Sequence, residues 1–157
     1  MQKITPFLWY DTQAEEAMNF YVSVFPNSKV LSVARYPKGA PAPEGTVMTA
    51  SFELNGTEFT ALNGGPHFKF TEAVSFVVKC ADQKEIDYYW DKLTSGGGQP
   101  SQCGWLKDRF GLSWQIYPPI LGELLSDKDR AKANRVMAAM MQMTKIDIQA
   151  LKDAAKG

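Results

Sequence analysis

Thr12-Gln13-Ala14-Glu15-Glu16-Ala17-Met18-Asn19-Phe20-Tyr21-Val22-Ser23-Val24-Phe25 returns later in the chain as Asp82-Gln83-Lys84-Glu85-Ile86-Asp87-Tyr88-Tyr89-Trp90-Asp91-Lys92-Leu93. Each stretch opens on a capping-box signature, in which an oxygen side chain takes a free backbone N–H and a Glu three residues on reaches back. Each continues as an apolar stripe at helical spacing: Ala14, Ala17, Met18, Tyr21, Val24 and Phe25 in the first, Ile86, Tyr89, Trp90 and Leu93 in the second. Sliding one half onto the other by about 68 residues superposes Met18, Tyr21, Val22 and Phe25 on Ile86, Tyr89, Trp90 and Leu93, the mark of an internal duplication. Short runs rich in bulky residues precede both helices, at Ile4 to Tyr10 and Ala73 to Cys80. After the first helix, stopped by Pro26 and Asn27, strand-like runs follow at Lys29 to Tyr36, Thr46 to Leu54 and Thr57 to Asn63. Asn55-Gly56 forms a tight hairpin turn between the last two. After the second helix, ended by Gly96-Gly97-Gly98, runs at Gln102 to Lys107 and Leu112 to Tyr117 flank the turn Asp108-Arg109-Phe110-Gly111. With one strand-like run before the second helix and two after it, the second half follows the first closely enough to look like an internal βαβββ duplication, an α+β pattern.

The 157 residues fit one domain, divided into module one (1–66), module two (67–119) and a helical tail (120–157). In the tail, Ser126-Asp127-Lys128-Asp129 opens a helix whose expected apolar stripe is Ala133, Val136, Met137, Met140, Met141 and Thr144, and Asp147 caps a last helix carrying Ile148, Leu151 and Ala155. That Met-rich stripe is to be buried on the chain's own body or on a second copy, a docking surface for another protein being the alternative. Lys plus Arg (17) balances Asp plus Glu (17), which leaves no global field to steer the chain onto nucleic acid or anionic lipid. With no run of about 18 apolar residues and no secretory h-region at the N-terminus, the expected location is cytoplasmic, with no membrane contact. Cys80 and Cys103 lie too far apart for a CxxC motif and are expected as reduced, packed thiols; a reactive Cys103 is the alternative.

Ala14-Glu15-Glu16-Ala17 through Phe20-Tyr21 to Val24-Phe25-Pro26-Asn27-Ser28, the run Leu62-Asn63-Gly64-Gly65-Pro66, and Asp108-Arg109-Phe110-Gly111-Leu112-Ser113-Trp114-Gln115-Ile116-Tyr117-Pro118 resemble the vicinal oxygen chelate superfamily, and within it the PhnB-like branch. Many members of that branch carry the label 3-demethylubiquinone-9 3-methyltransferase. The resemblance implies the glyoxalase/bleomycin-resistance fold, with two βαβββ modules making a cup-shaped mixed sheet, a small ligand in the cup, and a homodimer.

In metal-dependent relatives the cup floor carries a divalent ion on His, Gln and Glu side chains from the first and last strands of the modules. The corresponding positions here fall near Ile4, among Thr60, Ala61, Leu62 and Asn63, at Ala73 and Ser75, and on Gln115. One neutral amide does not replace a cation's hydration, so no metal and no cofactor is expected. The sole histidine, His67, is read as a loop residue, a base at a pocket mouth being the alternative. A methyltransferase of the doubly wound kind needs a glycine-rich turn after its first strand, where this chain has Thr12-Gln13-Ala14.

Period-two alternation sends Ser113, Gln115 and Tyr117 to one face of their strand and Leu112, Trp114 and Ile116 under a helix, the opposite phase being the alternative. Together with Ser75 and Trp105, which follows Cys103-Gly104, the first set forms the expected ligand-binding residues; none is assigned as catalytic. Lys79, Lys107 and Arg109 are candidates for positive charge at the rim. The expected function is metal-independent binding of a small organic molecule. The alternatives are a metal-dependent lyase, isomerase or dioxygenase, the labelled methyltransferase, or a docking module acting through the tail.

Overall fold

Both βαβββ orders are present in the computed structural model, which describes residues 1–157. The chain divides into two compact units, Met1–Phe70 and Thr71–Gly157. In unit one, β1 (Phe7–Tyr10), α1 (Ala14–Val24), β2 (Lys29–Arg35), β3 (Val47–Leu54) and β4 (Thr57–Asn63) make a four-stranded sheet of order β1-β4-β3-β2. The outer strand β1 runs parallel to β4, and the other pairs are antiparallel. Unit two repeats the topology with β5 (Ser75–Lys79), α2 (Gln83–Thr94), β6 (Gln99–Pro100), β7 (Trp105–Lys107) and β8 (Ser113–Tyr117), in the order β5-β8-β7-β6. It adds α3 (Pro119–Leu125), α4 (Arg130–Met140) and α5 (Ile148–Lys156).

The helix stripes are the cores. Ala14, Ala17, Met18, Tyr21 and Val24 of α1 are buried, as are Ala50, Phe52, Phe59 and Ala61 on the strands beside it. The Phe52 and Phe59 rings stack at 5.7 Å, and the Tyr10 and Tyr21 hydroxyls meet at 3.1 Å. Burial of each large side chain of this kind contributes roughly 1.5–3 kcal/mol. In unit two Ile86, Tyr89, Trp90 and Leu93 of α2 are buried, and so are Leu106, Trp114 and Ile116 on alternate positions of β7 and β8. Asn55 (φ 46°) and Gly56 (φ 88°) both take the left-handed backbone of the expected hairpin turn, which pairs Leu54 with Thr57.

Local signals mislead at several places. Thr12 does not cap α1: Gln13 is the capping position and makes no side-chain cap bond, and the Ala14 N–H donates instead to Asn63 Oδ1 (2.8 Å) from the end of β4. The second capping box forms, with Glu85 N donating to Asp82 (2.9 Å), although Glu85 Oε2 accepts from Ala81, one residue before the cap. The first strand starts at Phe7 rather than Ile4, which is exposed. The chain's own body covers the Met-rich stripe only in part. α4 buries only Ala133 and Val136, while Met137 and Met141 remain 43% and 55% exposed. The tail is held instead through the segment after α4. Cys103 N and Gly104 N donate to Met143 O and Thr144 O (2.8 Å each), and Ile146 and Leu151 are buried. The Gln83 side chain donates to Ile146 O (2.9 Å) and accepts from Ile148 N (2.9 Å). The Asp147 cap is present, accepting from Ala150 N at 3.0 Å.

Candidate functional site

The register of unit two fixes which side chains share a face. Residues directly opposite in a ladder point the same way. Trp105 pairs with Gln115 and Lys107 with Ser113 across β7 and β8, while Ser75 pairs with Ser113 and Val77 with Gln115 across β5 and β8. Ser75, Val77, Trp105, Lys107, Ser113 and Gln115 therefore share the face turned away from the buried Leu106, Trp114 and Ile116. This is the alternation expected from the sequence.

At one end of that face lies a cavity of about 650 Å³ walled by Glu72, Gln102, Cys103, Trp105, Lys107 and Ser113, among others. Trp105 is half-buried, presenting part of its indole. Ser113 is 1% exposed, and its Oγ is the chain's one buried side-chain polar atom without a hydrogen-bond partner. Leaving such a hydroxyl unpaired costs about 1–3 kcal/mol. Lys107 Nζ forms an ion pair with Glu72. Hydrogen bonding and the charge of the Lys107 ammonium hold the Glu72 carboxyl below the usual carboxylate range. The pair thus persists at neutral pH and is lost as pH falls through that lowered value.

Of the five expected ligand-binding residues, the cavity wall brings together Trp105 and Ser113. Gln115 donates from Nε2 to Ser75 Oγ (2.9 Å), so these two engage each other farther along the same face. Tyr117 turns its hydroxyl over Gly122, where an added Cβ would stand 2.5 Å from it. Arg109 donates to Ser95 Oγ at 3.0 Å and, like Lys79, is not part of the wall; of the three rim cations only Lys107 is. The signal for Glu72 was weak, since nothing local in the sequence joins it to Lys107. Cys103 stands in the wall with Sγ 3.6 Å from Met140 O, whereas burial, with Glu85 and Asp82 nearby, pushes the Cys80 thiol up to about 12.

Unit one has its own cavity of about 740 Å³, walled by Asp11, Arg35, Tyr36, Asn63 and the exposed His67, among others. Several of its polar groups are already engaged. Tyr36 Oη donates to Asn63 O (2.6 Å), and Arg35 donates to Gly45 O (3.1 Å). The run Leu62-Asn63-Gly64-Gly65-Pro66 has a structural role there. Asn63 caps α1 and donates to Val47 O (3.1 Å), Trp9 Nε1 donates to Gly65 O (2.9 Å), and a Cβ on Gly64 would lie 2.3 Å from the Trp9 ring.

The residues at the metal-ligand positions of the metal-dependent relatives do not fit a divalent ion. Ile4 is aliphatic, the Asn63 amide is held at both ends, and Ser75 and Gln115 are bonded to one another. Nowhere do three or more His, Cys, Asp or Glu side chains gather to hold a metal.

Residues 2–117 match the family described as 3-demethylubiquinone-9 3-methyltransferase. A search of the curated proteins finds no match. Among solved structures, a PhnB protein from Bacillus cereus is 41% identical over 74% of this chain and 99% of its own, with a TM-score of 0.69. The fosfomycin resistance protein FosX from Mesorhizobium loti is 10% identical over 74% of this chain and 92% of its own, with a TM-score of 0.55. A glyoxalase/bleomycin resistance protein from Albidiferax ferrireducens T118 is 8% identical over 74% and 98%, with a TM-score of 0.50. These last two likenesses concern the fold alone, and the fold is the one the family resemblance implied. With the match extending from residue 2 to the end of β8, and with that identity to the Bacillus cereus protein, the chain belongs to the PhnB-like 3-demethylubiquinone-9 3-methyltransferase family of the glyoxalase/bleomycin-resistance fold.

Proposed function

We propose that this protein binds a small organic molecule, without a metal, in the unit-two cavity. The ligand lies against the Trp105 indole and hydrogen-bonds Ser113. The observation that carries this reading is the buried, unpartnered Ser113 Oγ in a wall that also presents Trp105. A polar atom left unpaired beside an apolar ring is what a ligand with one polar anchor completes. Two proteins of the same fold are named for resistance to fosfomycin and to bleomycin, both organic molecules, which supports a binding role without carrying any residue across. The methyltransferase of the family description is not carried into this reading, because Asp11-Thr12-Gln13 follows β1 where a doubly wound cofactor site needs glycines. Titration calorimetry with naphthalene- and indole-based compounds should find a ligand whose affinity falls about tenfold or more in Trp105→Ala, aromatic anchors being the usual energetic centres of a binding surface. A ligand bound equally well by wild type and Trp105→Ala would remove the site assignment.

The same reading has the chain acting as a cytoplasmic homodimer. All seven residues of β2 are exposed at a sheet edge, including Val30, Leu31 and Val33, and such an edge is stabilised by pairing with a second copy. The two free cysteines suit a reducing compartment. Sedimentation velocity should give twice the 17.5 kDa chain mass, and a single-chain mass would rule the dimer out.

A further inference from the structure

Ser113 opens β8, which lies between β5 and β7 in the sheet. Its same-face neighbours are Ser75 on one side and Lys107 on the other. Glu72 stands on the segment leading into β5, and its carboxylate reaches Lys107 on β7. The ion pair therefore joins the two elements flanking β8 and bridges over the row that holds Ser113. Both partners are substantially exposed, at 60% for the Glu72 side chain and 42% for Lys107, so water and salt screen their attraction and the bridge opens readily. Beneath it, the Ser113 hydroxyl has an unused hydrogen. Three features thus stand in one wall: an ammonium already holding a carboxylate, a hydroxyl waiting for an acceptor, and the half-buried Trp105 indole.

We propose that the ligand of this cavity is an aromatic carboxylate, whose charged group displaces Glu72 from Lys107 and accepts a hydrogen bond from Ser113 while its ring packs on Trp105. This rests on the binding role proposed above and gives it a ligand class. Glu72 is the internal stand-in for the ligand's carboxylate: it closes the bridge in the free protein and swings aside when the ligand arrives. An ionised acceptor forms stronger hydrogen bonds than a neutral one, so the site discriminates between an acid and its amide.

Calorimetry on the full chain with 1-naphthoate and the neutral 1-naphthamide tests this. Naphthoate should bind more tightly than naphthamide and weaken with added salt. Glu72→Gln removes the competitor and should tighten naphthoate about threefold or more without changing naphthamide. Lys107→Met should weaken naphthoate about tenfold, in line with the loss of one charge-assisted hydrogen bond. Ser113→Ala should weaken naphthoate while leaving the melting temperature of the free protein unchanged or raised, a combination a purely structural serine does not give. Equal affinities for acid and amide, or a Glu72→Gln variant that binds naphthoate no better than wild type, would overturn the carboxylate inference while leaving the binding role standing. Failure of both probes to bind would take the inference down together with the role it rests on.

Discussion

Asp108→Ala should lower stability by about 3–5 kcal/mol, the usual scale for removing one partner from a buried polar network. Asp108 is 3% exposed, and its carboxyl oxygens accept from three donors: Phe110 N at 2.9 Å, Leu112 N at 3.1 Å and Trp114 Nε1 at 2.9 Å. Alanine leaves all three donors without that acceptor, two of them in the turn that joins β7 to β8 and one on the buried indole. Against a total stability of about 5–15 kcal/mol, the melting temperature should drop by roughly 10 °C or more. Asp108→Asn separates the contributions. It retains one carbonyl for the two backbone donors but turns an NH₂ toward the indole N–H, at a cost of about 2 kcal/mol. In the Asp108→Asn, Trp114→Phe double variant that conflict is gone, so the double variant should lose less stability than the sum of the two single losses. An Asp108→Ala protein melting within about 2 °C of wild type would contradict this account of the turn.

Gly104→Ala should cost about 2–4 kcal/mol, from left-handed strain and overpacking together. Gly104 has φ +84°, and a Cβ there would lie 2.9 Å from Ile116 O and 2.9 Å from Ile146 Cγ1. Its own groups are committed on both sides, donating to Thr144 O and accepting from Ile116 N at 2.8 Å each. Neither β8 nor the tail segment can retreat without losing one of these bonds. Gly111→Ala is the matched control: the backbone is left-handed there too (φ +89°), but nothing lies within 4 Å, so only the strain of about 1–2 kcal/mol is paid. Urea denaturation of the two variants should separate them by about 1 kcal/mol or more in the order stated. Equal losses would mean that the close approach at Gly104 carries no energy.

What the sequence discloses about this molecule follows from the range of each interaction. The two helical stripes, the Asn55-Gly56 turn, the Asp108–Gly111 turn and the Asp82 and Asp147 caps are encoded within a few residues, and they stand where the pattern puts them. The Thr12 cap fails because a competing acceptor, Asn63, arrives from the far end of the unit through the parallel β1–β4 pairing. The strand Gln99–Pro100 is two residues long and exists only because Lys107 and Leu106 pair with it, so it has no period of its own to read. The tail shows a related limit. Helical spacing marks Met137 and Met141 as one stripe with Val136, but it carries no information on how far a neighbouring element extends, and these two side chains are left in solvent.

The site is legible to the same degree. Alternation along Ser113 to Tyr117 gives the same division of faces as the register, and Gly104 is needed for close backbone approach, as its position before Trp105 suggested. Which members of that face meet is decided by register and by chain crossings. Ser75 and Gln115 satisfy each other, Ser113 is left unpaired, and Glu72 reaches Lys107 from beyond β8. The Leu62–Pro66 run, one of the stretches that carry the family resemblance, fastens α1, Trp9 and β3 together.

The central claim is that a ligand sits against Trp105. Four tryptophans give four indole N–H resonances, two of them with distinct partners: Trp9 donates to Gly65 O and Trp114 to Asp108. In a ¹H–¹⁵N titration with 1-naphthoate, the indole signal that disappears in Trp105→Ala should shift saturably, while those of Trp9 and Trp114 hold their positions. A saturable shift confined to Trp9, or one that leaves the Trp105 signal unmoved, would contradict the claim.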